Sequence, residues 1–258
     1  MSPEDVLPIL GPDEVYAFAR RIPVALDESG FADLVLGFPR RYLEATPALD
    51  VLKHYALMRG LGTRVAISSI AREGDGYRVC VVARDRHALF SRIAGSLTCF
   101  GLNIVSAEAF ANANQLVLDR FDCGDPGGRL EKPDERRSFQ AFLENAIAGG
   151  ADLEAMLRGR LPSLGRELDS LLLEFDDEAH PTATRMRLQA RDRTGLLYVV
   201  SEALARLGCD IELAYVATTG DHAHDEFFIS REGRKLLAHE REAVRAALSS
   251  GDRAADAA

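Results

Sequence analysis

Two stretches of this chain start alike. ARDRHALFSRI runs from Ala83 to Ile93 and ARDRTGLLYVV from Ala190 to Val200, 190 − 83 = 107 residues apart. After the first turn, Leu89, Phe90, Ile93, Leu97 and Phe100 mark one helical face, closed by Gly101. After the second, Leu196, Leu197, Val200, Leu204 and Leu207 repeat that face, closed by Gly208. Five apolar positions kept in phase mean that two helices bury the same side. The chain reads as a duplicated unit.

The surrounding pattern extends the repeat. YRVCVVA, Tyr77 to Ala83, is rich in strand formers and runs into the first turn. Each closing glycine is followed by two extended stretches, LNIVSAEAFA and QLVLDRFDC in the first copy, CDIELAYVAT and AHDEFFIS in the second. Asp119 and Phe121 match Asp225 and Phe227 at 225 − 119 = 106, so the second hairpin is one residue shorter. Further helices are predicted near Ser138–Ala148 and Leu236–Leu248, and GDPGGRLEKPDERR reads as a loop.

The order strand, helix, strand, strand, helix predicts an α+β fold of tandem ferredoxin-like βαββαβ modules. SLLLEF, Ser170 to Phe175, would supply the last strand of the first module. The second module would lack one, leaving a sheet edge that needs cover. The expected division is a helical segment over 1–62, modules over 63–177 and 178–250, and a disordered tail over 251–258. In the helical segment, Phe31, Leu34, Val35 and Phe38 form one face before Pro39. Thr46 is the expected N-cap of a helix starting at Pro47, with Leu49, Leu52, Tyr55 or Ala56 and Leu57 buried.

Composition narrows the functional classes. The 258 residues carry a net charge of −9, which argues against a nucleic-acid partner, and 47% hydrophobic residues suffice for real cores. No apolar run reaches the roughly 18 residues of a membrane span, and Met1–Gly11 lacks the pattern of a signal segment. Cys80, Cys99, Cys123 and Cys209 are scattered and read as buried thiols of a reducing cytoplasm.

A module with D-R-x-G-L-L at its first turn and G-x-D/N-I at its next strand resembles the ACT domain, a regulatory unit that commonly binds amino acids. The two copies, their Asp-x-Phe strands and the preceding FPRRYLEATPALDVLKHYAL are similar to the C-terminal region of the bacterial PII-protein uridylyltransferase/uridylyl-removing family, from about Pro39 to Leu248. In the first copy HAL replaces the usual Pro-Gly-Leu. The resemblance implies a cytoplasmic sensor of a small amino acid, glutamine foremost, with no cofactor. Its output would go to a protein partner, or within a homo-oligomer paired through sheet edges. The family's transfer chemistry needs a Gly-Ser turn and two metal-binding aspartates, and its removal chemistry needs dispersed His and Asp ligands. Neither pattern fits here, since the one His-Asp dipeptide, His224-Asp225, falls inside a repeated strand. The expectation is therefore a non-catalytic regulatory protein. The alternatives are a piece of a split uridylyltransferase and an RNA-binding module of the same sandwich type.

The candidate ligand-binding residues are Asp85, His87, Ala88 and Leu89 at the first turn, and Asp192, Thr194, Gly195 and Leu196 at the second. Asn103 and Asp210 join them at the strand starts. Each helix start offers unpaired N–H groups to a carboxylate, unless the aspartate of the turn caps it instead. Gly195 lets a ligand approach the backbone, whereas Ala88 leaves less room. The Asn103 amide can donate and accept; an ionised Asp210 only accepts and suits an ammonium group. Because each copy departs from the pattern at a different place, a composite site joining Asn103 to the Gly195 turn is one arrangement, and plain strand-start turns are the other. His222, His224 and Glu226 would share one strand face, with His222 and Glu226 about 13 Å apart, too far to hold one ion. No metal site is expected.

Overall fold

The computed structural model describes residues 11–21, 27–112, 114–160, 168 and 171–249. Four helices come first: α1 (Pro12–Arg21), α2 (Glu28–Val35), α3 (Arg40–Ala45) and α4 (Ala48–Leu61). The first half of the repeat follows as β1 (Ala66–Glu73), β2 (Gly76–Arg84), α5 (Leu89–Phe100), β3 (Asn103–Ala111), β4 (Leu116–Gly124), α6 (Pro133–Ala148) and α7 (Leu153–Arg160). The second half is β5 (Leu172–Asp176), β6 (Thr184–Arg191), α8 (Leu196–Arg206), β7 (Asp210–Thr219), β8 (His222–Ser230) and α9 (Ala238–Ser249). All eight strands join one antiparallel sheet in the order β1-β2-β4-β3-β7-β8-β6-β5. The architecture is α+β, compatible with tandem ferredoxin-like modules behind a helical segment. Helix α6 begins at Pro133, so PDERR, expected in a loop, forms its first turn.

The strand at Leu172–Asp176 departs from expectation. It pairs with β6, Phe175 opposite Met186, and so belongs to the second half instead of completing the first. The place beside β2 is already held by β1, which enters by a tight hairpin with Glu73 opposite Gly76. Each half is therefore a permuted unit whose edge strand precedes its core instead of following it. The second half has its fourth strand, and β6 is not left open. The outer edges are also blunted. Glu144 of α6 accepts from the Ser68 amide at 2.8 Å on β1, and Arg245 of α9 donates to the Leu173 carbonyl at 3.0 Å on β5.

The two halves meet through β3 and β7. Ser106 lies opposite Ala217 and Phe110 opposite Leu213, with Glu108 facing Tyr215 at the centre. Shifted by the repeat spacing of 107, the first pair becomes the second, so the register is that of a pseudo-two-fold axis. On the face above, α5 packs on α8 so closely that a Cβ at Gly95 would stand 2.9 Å from the Tyr198 ring. Strand alternation sends Val79, Val81 and Phe121 in one half, and Met186, Leu188 and Phe227 in the other, under these helices.

The opposite face is covered over the first half and the junction, and open on the outer part of β6 and β8. Val82, Phe110, Leu118, Leu213 and Phe228 pack with Phe31, Val35, Phe38 and Tyr42 of the N-terminal segment, whose Phe31/Val35/Phe38 stripe is buried as its spacing predicts. Helix α4 is turned part-way from the sequence reading: Tyr55 is buried and Leu52 and Leu57 pack half-buried as expected, but Leu49 does not. Val51, His54, Tyr55, Met58 and Leu61 face inward, while Leu49 is 65% exposed. Pro47, and not Thr46, occupies its cap, and Thr46 makes no capping bond. The reason is His54: its ring fills a polar gap in an otherwise apolar stripe, with Nδ1 3.1 Å from the Tyr42 hydroxyl and Nε2 3.7 Å from Cys80 Sγ. Burial, aided by Arg120, pulls its pKa down to about 4. The four cysteines are buried and unpaired with one another.

Candidate functional site: two composite clefts

The two turns fold almost identically. Asp85 N–H donates to Gln115 O and Asp192 N–H to Asp221 O, each at 2.8 Å. Each helix is entered through a left-handed residue, Ala88 at φ 61° and Gly195 at φ 83°. The same backbone is thus held once by the residue suited to it and once by one that is not. Neither helix has a side-chain cap bond, so the reading of Asp85 and Asp192 as helix caps is corrected. The Asp85 carboxylate lies beside the neighbouring Arg86 amide, which offsets part of the effect of its burial.

The pseudo-symmetry brings each turn to the strand start of the other half. In the first cleft, Asp85, Ala88 and Leu89 face Cys209, Asp210 and Ile211. In the second, Asp192, Gly195 and Leu196 face Leu102, Asn103 and Ile104. Asn103 and the Gly195 turn therefore line one cavity. His87 lies outside the first cleft proper, but its Nδ1 is 3.6 Å from Asp210 Oδ1 across the junction. Thr194 is exposed and lines neither cleft.

The relative room is the reverse of what Ala88 and Gly195 suggested. The cleft at Ala88 encloses about 70 Å³ and that at Gly195 about 20 Å³. The far wall decides this: Ala205 and Cys209 bound the first, while their repeat equivalents Thr98 and Leu102 bound the second.

Two further residues line these clefts that the sequence reading left out. Asp119 lies in the first and Asp225 in the second, at matching places on β4 and β8. Both sit in phase with core residues, Asp119 between Val117 and Phe121, Asp225 between Ala223 and Phe227. Neither oxygen of Asp119 has a hydrogen-bond partner among the described residues, nor does Oδ1 of Asp225, though the nearby Ala217 amide offsets part of that carboxylate's burial. Burial, then the nearby Asp85 charge, pushes Asp119 well above the usual carboxylate range. Burial raises Asp225 to about 7, with Asp192 adding to the effect. Asp85 is itself raised, by partial burial and then by Asp210 of the other half. The signal was available in the sequence: an aspartate on the core-facing phase of a strand, present in both copies.

His222, His224 and Glu226 share the exposed face of β8 as expected. Their contacts are ordinary surface pairs, His222 with Asp221 and Glu226 with Arg187. Among the described residues no three His, Cys, Asp or Glu are grouped to hold a metal ion, and no helix is long and apolar enough to cross a membrane.

The bifunctional uridylyltransferase/uridylyl-removing enzyme of Azospirillum brasilense is 30% identical over 223 residues, 80% of this chain and 23% of the enzyme. That of Ralstonia nicotianae is 31% identical over 172 residues, 65% of this chain and 20% of the enzyme. That of Rhodospirillum rubrum is 29% identical over 231 residues, 84% of this chain and 25% of the enzyme. The chain resembles a portion of these enzymes. It spans about a quarter of the length of the curated relatives it matches. No family model matches it. The likeness agrees with the resemblance drawn from the turns and the Asp-x-Phe strands.

Proposed function

We propose that this chain is a regulatory piece related to the uridylyltransferase/uridylyl-removing enzymes, built of tandem ACT modules that sense a small amino acid, with glutamine the favoured ligand. The observation carrying this reading is the composite cleft: a helix start without a side-chain cap, from one half, meets the strand start of the other. The helix start suits a carboxylate, and Asn103 or Asp210 suits the polar groups beside it. As folded, both cavities are smaller than the few hundred Å³ of ordinary ligand pockets, so occupation requires α5 and α8 to shift against the opposite strands. A ligand that favours the shifted arrangement moves one half against the other. That movement is the output, passed to a regulated protein partner or between copies of the chain.

A thermal-shift screen of the whole chain against the twenty amino acids tests this. A ligand at 100 times its dissociation constant should stabilise by about 2.7 kcal/mol. No shift at millimolar concentration would leave the modules as docking or structural units.

The second reading, a piece of a split uridylyltransferase, is favoured by the relatives' names and by the quarter-length match. We expect the chain alone to transfer no uridylyl group when incubated with PII protein, UTP and Mg²⁺. Chelator-sensitive turnover would overturn the purely regulatory reading. An RNA-binding role has less support: over the first half the sheet face is packed beneath the N-terminal segment, and the exposed side of β6 and β8 carries Arg187, Gln189, His224 and Glu226 in place of base-stacking aromatic residues.

A further inference from the structure

We propose that Asp119 and Asp225 are the cation-receiving floor of the two clefts, each seating one protonated primary amine, the α-ammonium group of a small amino acid. This rests on the amino-acid reading above and assigns within it the group that recognises the amine.

A carboxylate among Val117, Phe121 and the helix-covered core is unfavourable unless something pairs with it. An apolar residue at the same strand phase would simply pack. The aspartate nevertheless stands at the equivalent place in both halves, although the two sequences around it differ at most positions. Packing alone gives no reason for that.

The unpartnered oxygens, both of Asp119 and Oδ1 of Asp225, belong to residues lining the clefts. In the first cleft the neighbouring charges are Asp85 and Arg86 from the turn and Asp210 and Glu212 from β7, and Arg86 is drawn away to the Ile147 carbonyl at 2.8 Å. Three carboxylates besides Asp119 thus surround a small space. In the second, Asp192 and Arg193 come from the turn and the neutral Asn103 from β3.

A hard divalent ion would need several convergent oxygen ligands, and no such group exists among the described residues. A helix start beside a buried carboxylate instead matches the head of an α-amino acid, whose carboxylate and ammonium are one carbon apart. The first cleft, at about 70 Å³, takes the small ammonium end as folded; the rest of the head, and the second cleft at about 20 Å³, need the shift of α5 and α8, with the ligand's side chain directed outward.

The test uses the full chain with carboxyl-¹³C aspartate, titrated with methylammonium chloride against sodium chloride at equal ionic strength. Methylammonium, and not sodium, should move the Asp119 and Asp225 signals toward the ionised position. In parallel, L-glutamine is compared with glutaramate, which lacks the α-ammonium group, on the native chain and on Asp119→Asn and Asp225→Asn. The expected result is at least a tenfold loss of glutamine affinity at the altered cleft, with no glutaramate binding. If glutamine binds all three proteins equally and methylammonium leaves both carboxyl signals in place, the inference fails and the amino-acid reading stands. If methylammonium moves the signals but no amino acid binds, the amine seat stands and the amino-acid reading falls. If neither probe has any effect, both fall. The methylammonium titration needs no variant, so poor folding of an Asn variant does not remove the test.

Discussion

His87 and Asp210 approach to 3.6 Å although one ends the first turn and the other begins a strand of the second half. Both are more than half exposed, so the pair adds little to stability, under about 1 kcal/mol. Asp210→Asn should leave the melting temperature nearly unchanged. A loss of more than about 2 kcal/mol by chemical denaturation would mean that the junction depends on this pair and not on β3–β7 pairing and α5–α8 packing.

Ala88 and Gly195 hold the same left-handed backbone, which disfavours a side chain by about 1–2 kcal/mol. Ala88→Gly should therefore stabilise the chain by roughly 0.5–1 kcal/mol, the relief of strain being partly offset by a more flexible unfolded state. Gly195→Ala should destabilise it by about 1–2 kcal/mol. Urea unfolding of both variants checks the opposite signs, and equal signs would contradict the shared geometry.

Two contributions to the pH dependence oppose each other. Asp225 is protonated in the fold up to about pH 7, whereas an unfolded aspartate ionises near 4, so its contribution makes stability fall as pH rises through that window. His54 stays neutral in the fold down to about pH 4, whereas an unfolded histidine gains a proton near 6.5, so its contribution makes stability fall as pH drops from 6.5 toward 4. Asp225→Asn should raise stability at pH 8 by on the order of a few kcal/mol and leave an acid-sensitive protein. His54→Gln should instead flatten the acid side. Denaturant midpoints at pH 5, 6.5 and 8 separate the two.

The assignment of β5 to the second half can be checked covalently. Leu172 lies directly opposite Gln189 on β6. Leu172→Cys with Gln189→Cys should form an internal disulfide on mild oxidation, since directly opposed strand residues fall within bridging distance. Absence of the cross-link in a folded protein would restore the strand to the first half.

Local pattern alone fixed a great deal of this protein. The apolar faces of α5 and α8, the turns at Asp85 and Asp192 and the paired strands of each half follow from spacings of 3.6 and 2 residues, which depend only on neighbours along the chain. Of the ten candidate site residues, read from the chemistry of the turns and strand starts and from the family resemblance, eight line the two clefts, with His87 bridging the first and Thr194 turned to solvent. What local pattern could not supply was partnership between distant segments. SLLLEF has the pattern of a strand whichever half it joins; it joins the second because β1 had already taken the edge of the first. Helix α4 shows the same limit, since His54 faces inward only because Tyr42 and Cys80 receive its ring. Asp119 and Asp225 could be read as strand residues in phase with the core, but a buried carboxylate becomes a candidate ligand group only where a second element leaves it unpaired beside a cleft. That arrangement comes from the pairing of β3 with β7, which seats each half's turn against the other half, a relation no stretch of sequence contains by itself.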